Sequence, residues 1–110
     1  CTVIVDGNAV RSCTTPVSTM VNRNVQTLDG LGTIEKPHPL QQAFIDEQAA
    51  QCGYCMNGIL MTAKVLLDKN PNPTDADIKR ALDPVLCRCG SHLRVLRAVK
   101  RAAQTIQARL

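Results

Sequence analysis

Aromatic side chains are almost missing: Phe44 and Tyr54 are the only two in 110 residues, and there is no tryptophan. A core must therefore be assembled from Leu, Ile, Val, Ala and Met, a composition suited to packed helices. The net charge is +4, yet no run of five basic residues occurs and two aromatics make a poor platform for stacking bases. Nucleic acid is not the expected partner. Long apolar runs are missing too. The longest, GILMTAKVLL from Gly58 to Leu67, is interrupted by Lys64 and falls far short of the roughly 20 residues a membrane-spanning helix needs. The chain shows no initiating methionine and no signal-peptide pattern; it opens on what already reads as a strand, so an upstream segment is expected to be missing. The expected setting is the bacterial cytoplasm or periplasm.

What is present falls into two parts. Thr2 to Val5 is β-rich and runs into Asp6-Gly7, a strong turn dipeptide, after which Asn8 to Cys13 can return as a second strand. TTPVSTM continues in extended style, and Val25 to Leu28 is expected to form a short third strand, closed by Asp29-Gly30. The stretch LGTIEKPHP, residues 31–39, reads as an extended linker. From Pro39 the period changes to that of helices. One runs through LQQAFIDEQAA, one carries Ile59, Ala63, Leu66 and Leu67 and stops at Asn70-Pro71, and one opens on Thr74 with Asp77 as capping partner and ends at Asp83-Pro84. The last carries Leu93, Leu96, Val99, Ala103, Ile106 and Leu110, with Arg94, Arg97, Lys100 and Arg101 turned largely elsewhere. Short links between four helices imply a small bundle.

Six cysteines carry the chemistry. Cys52 and Cys55, in QCGYC, sit between the first and second helices; Cys87 and Cys89, in LCRCG, sit between the third and fourth. In an up-and-down bundle those junctions share one end, so the four thiols can converge. Zinc accepts four thiolates, but its common signatures pair two C-x-x-C knuckles or add histidines, and His38 and His92 show no ligand spacing. Disulfides suit loop-rich secreted modules better than a helical core. A 2Fe-2S cluster needs two thiolates on each iron, which two short-spaced pairs can supply.

With QCGYC and LCRCG on a bundle and CTVIVDG and RSC before it, the chain strongly resembles the iron-sulfur subunit of the xanthine oxidase family of molybdenum hydroxylases. TLDGL, HPLQQAF and NPNPT match further family landmarks in order, so the resemblance spans essentially the whole sequence. It implies an α+β, mainly α fold: residues 1–30 as the C-terminal remnant of a plant-type ferredoxin-like β domain, 31–39 as linker, and 40–110 as a four-helix bundle holding a 2Fe-2S cluster.

By the same resemblance, Cys52, Cys55, Cys87 and Cys89 correspond to the ligands of the inner cluster, the one nearest the molybdopterin. Gln51 and Cys89 match positions that approach that cofactor. Cys1 and Cys13 match the third and fourth ligands of an outer 2Fe-2S cluster whose first two cysteines would lie upstream of Cys1, leaving that site incomplete in this chain. Met56-Asn57 and Ser91-His92 replace the frequent Thr-Pro and Thr-Gly-Tyr, a form similar to enzymes oxidising N-heteroaromatic rings or aldehydes. The implied role is an electron relay with no catalytic residue of its own. Substrate would be hydroxylated on a large molybdopterin-binding subunit, and electrons passed to a flavin subunit or a cytochrome c. Backbone N–H groups near Gly53, Gly58 and Gly90 are expected donors to the cluster sulfurs, and Arg88 and His92 are expected neighbours of the cluster. The competing expectation is a zinc-stabilised helical module that offers a basic surface to a partner.

Overall fold

A computed structural model describes residues 1–109. Its helices are α1 (Pro39–Asp46), α2 (Met56–Lys69), α3 (Asp75–Leu82) and α4 (His92–Ala108), and its strands β1 (Thr2–Val5), β2 (Asn8–Arg11) and β3 (Val25–Gln26). The last expected core residue, Leu110, lies outside the described residues.

The strands form a sheet in the order β2-β1-β3, with β1 antiparallel to both neighbours and Thr2 opposite Arg11. Asp6 and Gly7 both adopt positive φ, +49° and +85°, the backbone of the tight hairpin turn whose twist matches paired strands. The second strand stops at Arg11, short of Cys13, and TTPVSTM is not extended: Ser12–Thr14 and Val17–Met20 are 3-10 turns. Hydroxyls account for this. Thr14 and Thr15 donate to the Arg11 carbonyl and Thr19 donates to that of Pro16, giving the backbone local partners that compete with a ladder. The third strand is likewise shortened, because Leu28–Gly30 tightens into a 3-10 turn.

In the bundle α1 packs on α4, α4 on α3, α3 on α2 and α2 on α1, a closed ring. α4 presents Val95, Ala98, Val99, Ala102 and Ala103 to the core, spaced by threes and fours. Its small side chains let α1 approach closely. Leu93, expected in that face, is 67% exposed, because two residues along a helix is more than half a turn and sets it nearly opposite Val95 and the buried stripe. α1 ends earlier than LQQAFIDEQAA suggests. Gln48 takes a left-handed φ of +51°, the Ala49 N–H donates to the Phe44 carbonyl and the Gln48 N–H to that of Ile45. This is the Schellman arrangement, closed by the buried Ala49 without the usual glycine.

α2 is apolar nearly all round because it is buried on two sides. Ile59, Leu60, Ala63 and Leu67 face the bundle, whereas Met61 packs with Ile4 and Leu31 beneath the sheet, flanked by Leu28 and Val65. Three hydrogen bonds reinforce that junction: Asn57 to the Thr2 carbonyl at 3.1 Å, Lys69 to the Asn8 side chain at 2.9 Å, and the Arg11 guanidinium to the Pro84 carbonyl at 3.3 Å.

Candidate metal centre

Segment 47–55 leaves the end of α1 and enters α2; segment 83–91 leaves α3 and enters α4. Cys55 is the residue just before α2, and Ser91 the residue just before α4. Two helix N-termini, each with unpaired N–H groups and partial positive charge, therefore border the cysteines.

The thiols meet across these segments in pairs. Cys52 interacts most directly with Cys89 and Cys55 with Cys87, and the charges of Cys52 and Cys87 are felt across the two pairs. Among the described residues, no three His, Cys, Asp or Glu side chains gather about a single ion position. A two-iron core asks for two thiolates on each iron, and two facing pairs match that demand. A single tetrahedral ion asks instead for four thiolates around one point.

Each pair holds one acidic and one reluctant thiol. Cys87 is lowered to about 6, first by the Ser91 hydroxyl and then by the Ser91 backbone N–H. Its partner Cys55 is raised to about 11 by burial and by the Cys87 thiol. Cys52 is lowered, chiefly by the Tyr54 N–H. At Cys89 the hydrogen bond from the Cys52 N–H pulls downward, but the Cys52 thiol, burial and the charges of Cys52 and Cys87 together raise it. Binding iron would displace the remaining protons.

The backbone donors are not those of the glycines themselves. Gly53 and Gly90 have φ of +85° and +78°, a region glycine enters without a Cβ penalty, and each turns the next residue's N–H onto a sulfur: Tyr54 onto Cys52, Ser91 onto Cys87. The Gly90 N–H instead donates to the Cys87 carbonyl, and Gly58 lies inside α2.

Burial is graded across the site. Cys87 is 5% exposed and Cys55 half-buried, whereas Cys52 and Cys89 reach the surface beside exposed Gln51, Arg88 and a Tyr54 side chain that is 97% exposed. Gln51 makes no side-chain hydrogen bond among the described residues. His92 does reach the site, where its Nε2 accepts from the Cys87 N–H at 3.4 Å. Ser91 is the residue whose role the sequence concealed: it is buried, and its hydroxyl lies 3.1 Å from the Cys87 sulfur. The available signal was a small hydroxyl residue in the cap position after CRCG. Apart from these, Cys1 and Cys13 form a third, exposed pair with sulfurs 3.0 Å apart, brought together because the 3-10 turn at Ser12–Thr14 folds Cys13 back toward Cys1.

The basic side chains of α4 are largely engaged. Arg101 pairs with Asp46 and Glu47 of the α1 end, Lys100 with Asp75 of α3, and Arg94 donates to the Gln48 carbonyl. These three tie α4 to its neighbours, while Arg97 is exposed with no side-chain partner among the described residues.

The sequence matches the 2Fe-2S binding domain family over residues 27–100. It is 62% identical to a nicotinate dehydrogenase subunit of Pseudomonas putida, an alignment covering 96% of this chain and 67% of the relative. The chain belongs to the 2Fe-2S-binding subunits of the xanthine oxidase family. The alpha subunit of isoquinoline 1-oxidoreductase from Brevundimonas diminuta is 49% identical, over 94% of this chain and 68% of the relative. Among solved structures, quinoline 2-oxidoreductase of Pseudomonas putida 86 superposes with a TM-score of 0.90 at 32% identity, covering 98% of this chain and 68% of that one. The chain thus spans about two thirds of the length of these relatives. The mainly helical α+β architecture expected from the sequence is the family's own. None of the described helices is long and apolar enough to cross a membrane.

Proposed function

We propose that this chain is the electron-transfer subunit of a molybdopterin-dependent hydroxylase acting on an N-heteroaromatic substrate, and that Cys52, Cys55, Cys87 and Cys89 hold its inner 2Fe-2S cluster. The observation that carries the proposal is the facing of Cys52 on Cys89 and of Cys55 on Cys87 at one end of the bundle. A 2Fe-2S cluster supplies a centre that accepts and gives up electrons singly. The chain contributes four thiolates, two helix N-termini that offset negative charge, and a core that keeps water from the Cys55–Cys87 side. The exposed Cys52–Cys89 side, with Gln51 next to it, is the side turned to the molybdopterin of a large partner subunit. Cys1 and Cys13 supply two ligands of an outer cluster completed by another segment, from which electrons leave for a flavin subunit or a cytochrome c. In this scheme residues 1–30, 31–39 and 40–110 keep the division into ferredoxin-like part, linker and cluster-binding bundle.

The substrate class rests on the relatives, whose names specify nicotinate, isoquinoline and quinoline. A zinc-stabilised module with a basic docking face is disfavoured by the ion pairs that occupy α4. The test is Cys52→Ser and Cys89→Ser in the assembled complex. Each removes one cluster's iron and visible absorption and stops electron flow from the molybdenum subunit. Unchanged iron content and colour in both variants would refute the assignment.

A further inference from the structure

Ser91 is the one buried polar residue among those described, only 4% exposed. Burying a hydroxyl without a partner costs roughly 1–3 kcal/mol, so its contacts must account for it. Its oxygen lies 3.1 Å from the Cys87 sulfur. Its carbonyl accepts from the Val95 N–H in the first turn of α4. The residue is thereby fixed at the start of a long helix, and its hydroxyl is left to serve the sulfur. Cys87 is held from the other side as well, since its N–H donates to His92 and its carbonyl accepts from Gly90. Sulfur and hydroxyl are therefore positioned by separate backbone anchors four residues apart.

We propose that Ser91 is a positioning residue that sets the reduction potential of the inner cluster by donating an O–H···S hydrogen bond to Cys87. The inference rests on Cys87 being a cluster ligand. Adding one electron increases the negative charge shared by the cluster and its sulfurs, and a donor to a sulfur stabilises that more negative state over the oxidised one. No proton leaves Ser91: one electron enters, and the O–H stays intact and shortens its contact. The site is poorly hydrated, which strengthens the bond relative to one in water. Ser91 thus raises the potential of the cluster and stabilises the added electron toward the Cys55–Cys87 side, next to the Thr2–Asn57 junction with the β part.

The experiment uses the assembled complex with Ser91→Ala, Ser91→Thr and Ser91→Cys, followed by redox titration monitored by the paramagnetic signal of the reduced clusters. Ser91→Ala lowers the midpoint of one cluster by about tenfold in the one-electron equilibrium, ~59 mV, at full iron content. Ser91→Thr, which keeps the hydroxyl, restores it, and Ser91→Cys, a weaker donor, falls between. An unchanged midpoint in an iron-replete Ser91→Ala complex overturns the proposal. Loss of iron in both Ala and Cys variants also overturns it, by assigning Ser91 to cluster assembly alone. If instead Cys87→Ser leaves iron and colour intact, the ligand assignment fails, an outcome separable from any Ser91 midpoint.

Discussion

Met61→Ala is expected to be the most informative change to the scaffold. Met61 is fully buried, on the side of α2 away from the bundle, where it packs with Ile4 of β1 and Leu31. Truncation removes about three heavy atoms, worth ~2.4 kcal/mol at roughly 0.8 kcal/mol per buried methylene-sized group. Some cavity penalty is added, because Leu31 and Ile4 are held by the turn at Leu28–Gly30 and by the sheet register and collapse only partly. A loss of about 3 kcal/mol follows. At about 4 °C per kcal/mol for a domain of this size, the thermal midpoint falls by ~12 °C. The assay is calorimetry at a fixed state of cluster loading, since unequal loading would shift the midpoint by mass action. Met61→Leu, similar in volume, costs less than about 1.5 kcal/mol, and Val17→Ala at an exposed position stays within ~0.5 kcal/mol. A drop below ~4 °C for Met61→Ala would refute the view that the sheet and the bundle share a packed core through α2.

Gly32→Ala is expected to cost about 1 kcal/mol or more, because a Cβ there would stand 2.5 Å from both the His38 nitrogen and the Gln41 Oε1 that cap α1. Gln41 can swing away but the backbone nitrogen cannot, and a denaturant midpoint equal to that of the parent would refute the clash. His38 gives a pH signature. Its Nδ1 accepts from the Leu40 N–H, which requires a neutral ring, and burial, then the charge of Lys64, hold its pKa below the ordinary 6.5 despite the opposing Asp68. As pH falls below about 6.5 the unfolded chain takes up a proton that the folded chain refuses, so stability drops until the lowered folded value is passed and then levels. His38→Asn keeps a cap without the titration, and parallel stability curves for parent and variant between about pH 7.5 and 5 would refute the assignment.

The parts most legible in the sequence were those fixed by local chemistry. Asp6-Gly7 specified its hairpin, Thr74 with Asp77 closed the capping box of α3, and Asn70-Pro71 ended α2 where expected. Less legible were features that depend on partners distant in sequence. The exposure of Leu93 is decided by which stripe of α4 meets α1, and amphipathic spacing alone does not fix that stripe. The end of α1 was hidden because Gln48 does a job usually given to glycine. His38 as a cap was hidden because histidine is not among the common capping residues. At the candidate site the spacing of C-x-x-C and C-x-C placed both cysteine pairs at the junctions between helices, but which cysteine neighbours which required the two loops to be seen together. Ser91 followed the same rule. Nothing in CRCGSH tells whether the hydroxyl caps α4 or turns back to the sulfur.

The division of the thiols also bears on direction. A relay needs one side accessible to the donor and another shielded, so that electrons move onward rather than to solvent oxidants. Here the same C-x-x-C that starts α2 places Cys52 outside and Cys55 at the helix entrance, and C-x-C places Cys89 outside and Cys87 within. Two residues after Cys55, Asn57 holds the Thr2 carbonyl, one residue from Cys1; two residues before Cys13, Arg11 holds the Pro84 carbonyl, three residues from Cys87. The shielded pair and the Cys1–Cys13 pair are therefore linked through two short, independently anchored stretches of backbone. Rotation of the β part about either hydrogen bond is opposed by the other and by Met61 beneath the sheet. The relative position of the two cysteine sets is thus a property of the scaffold, and substitutions at Asn57, Arg11 or Met61 alter it without touching a thiol.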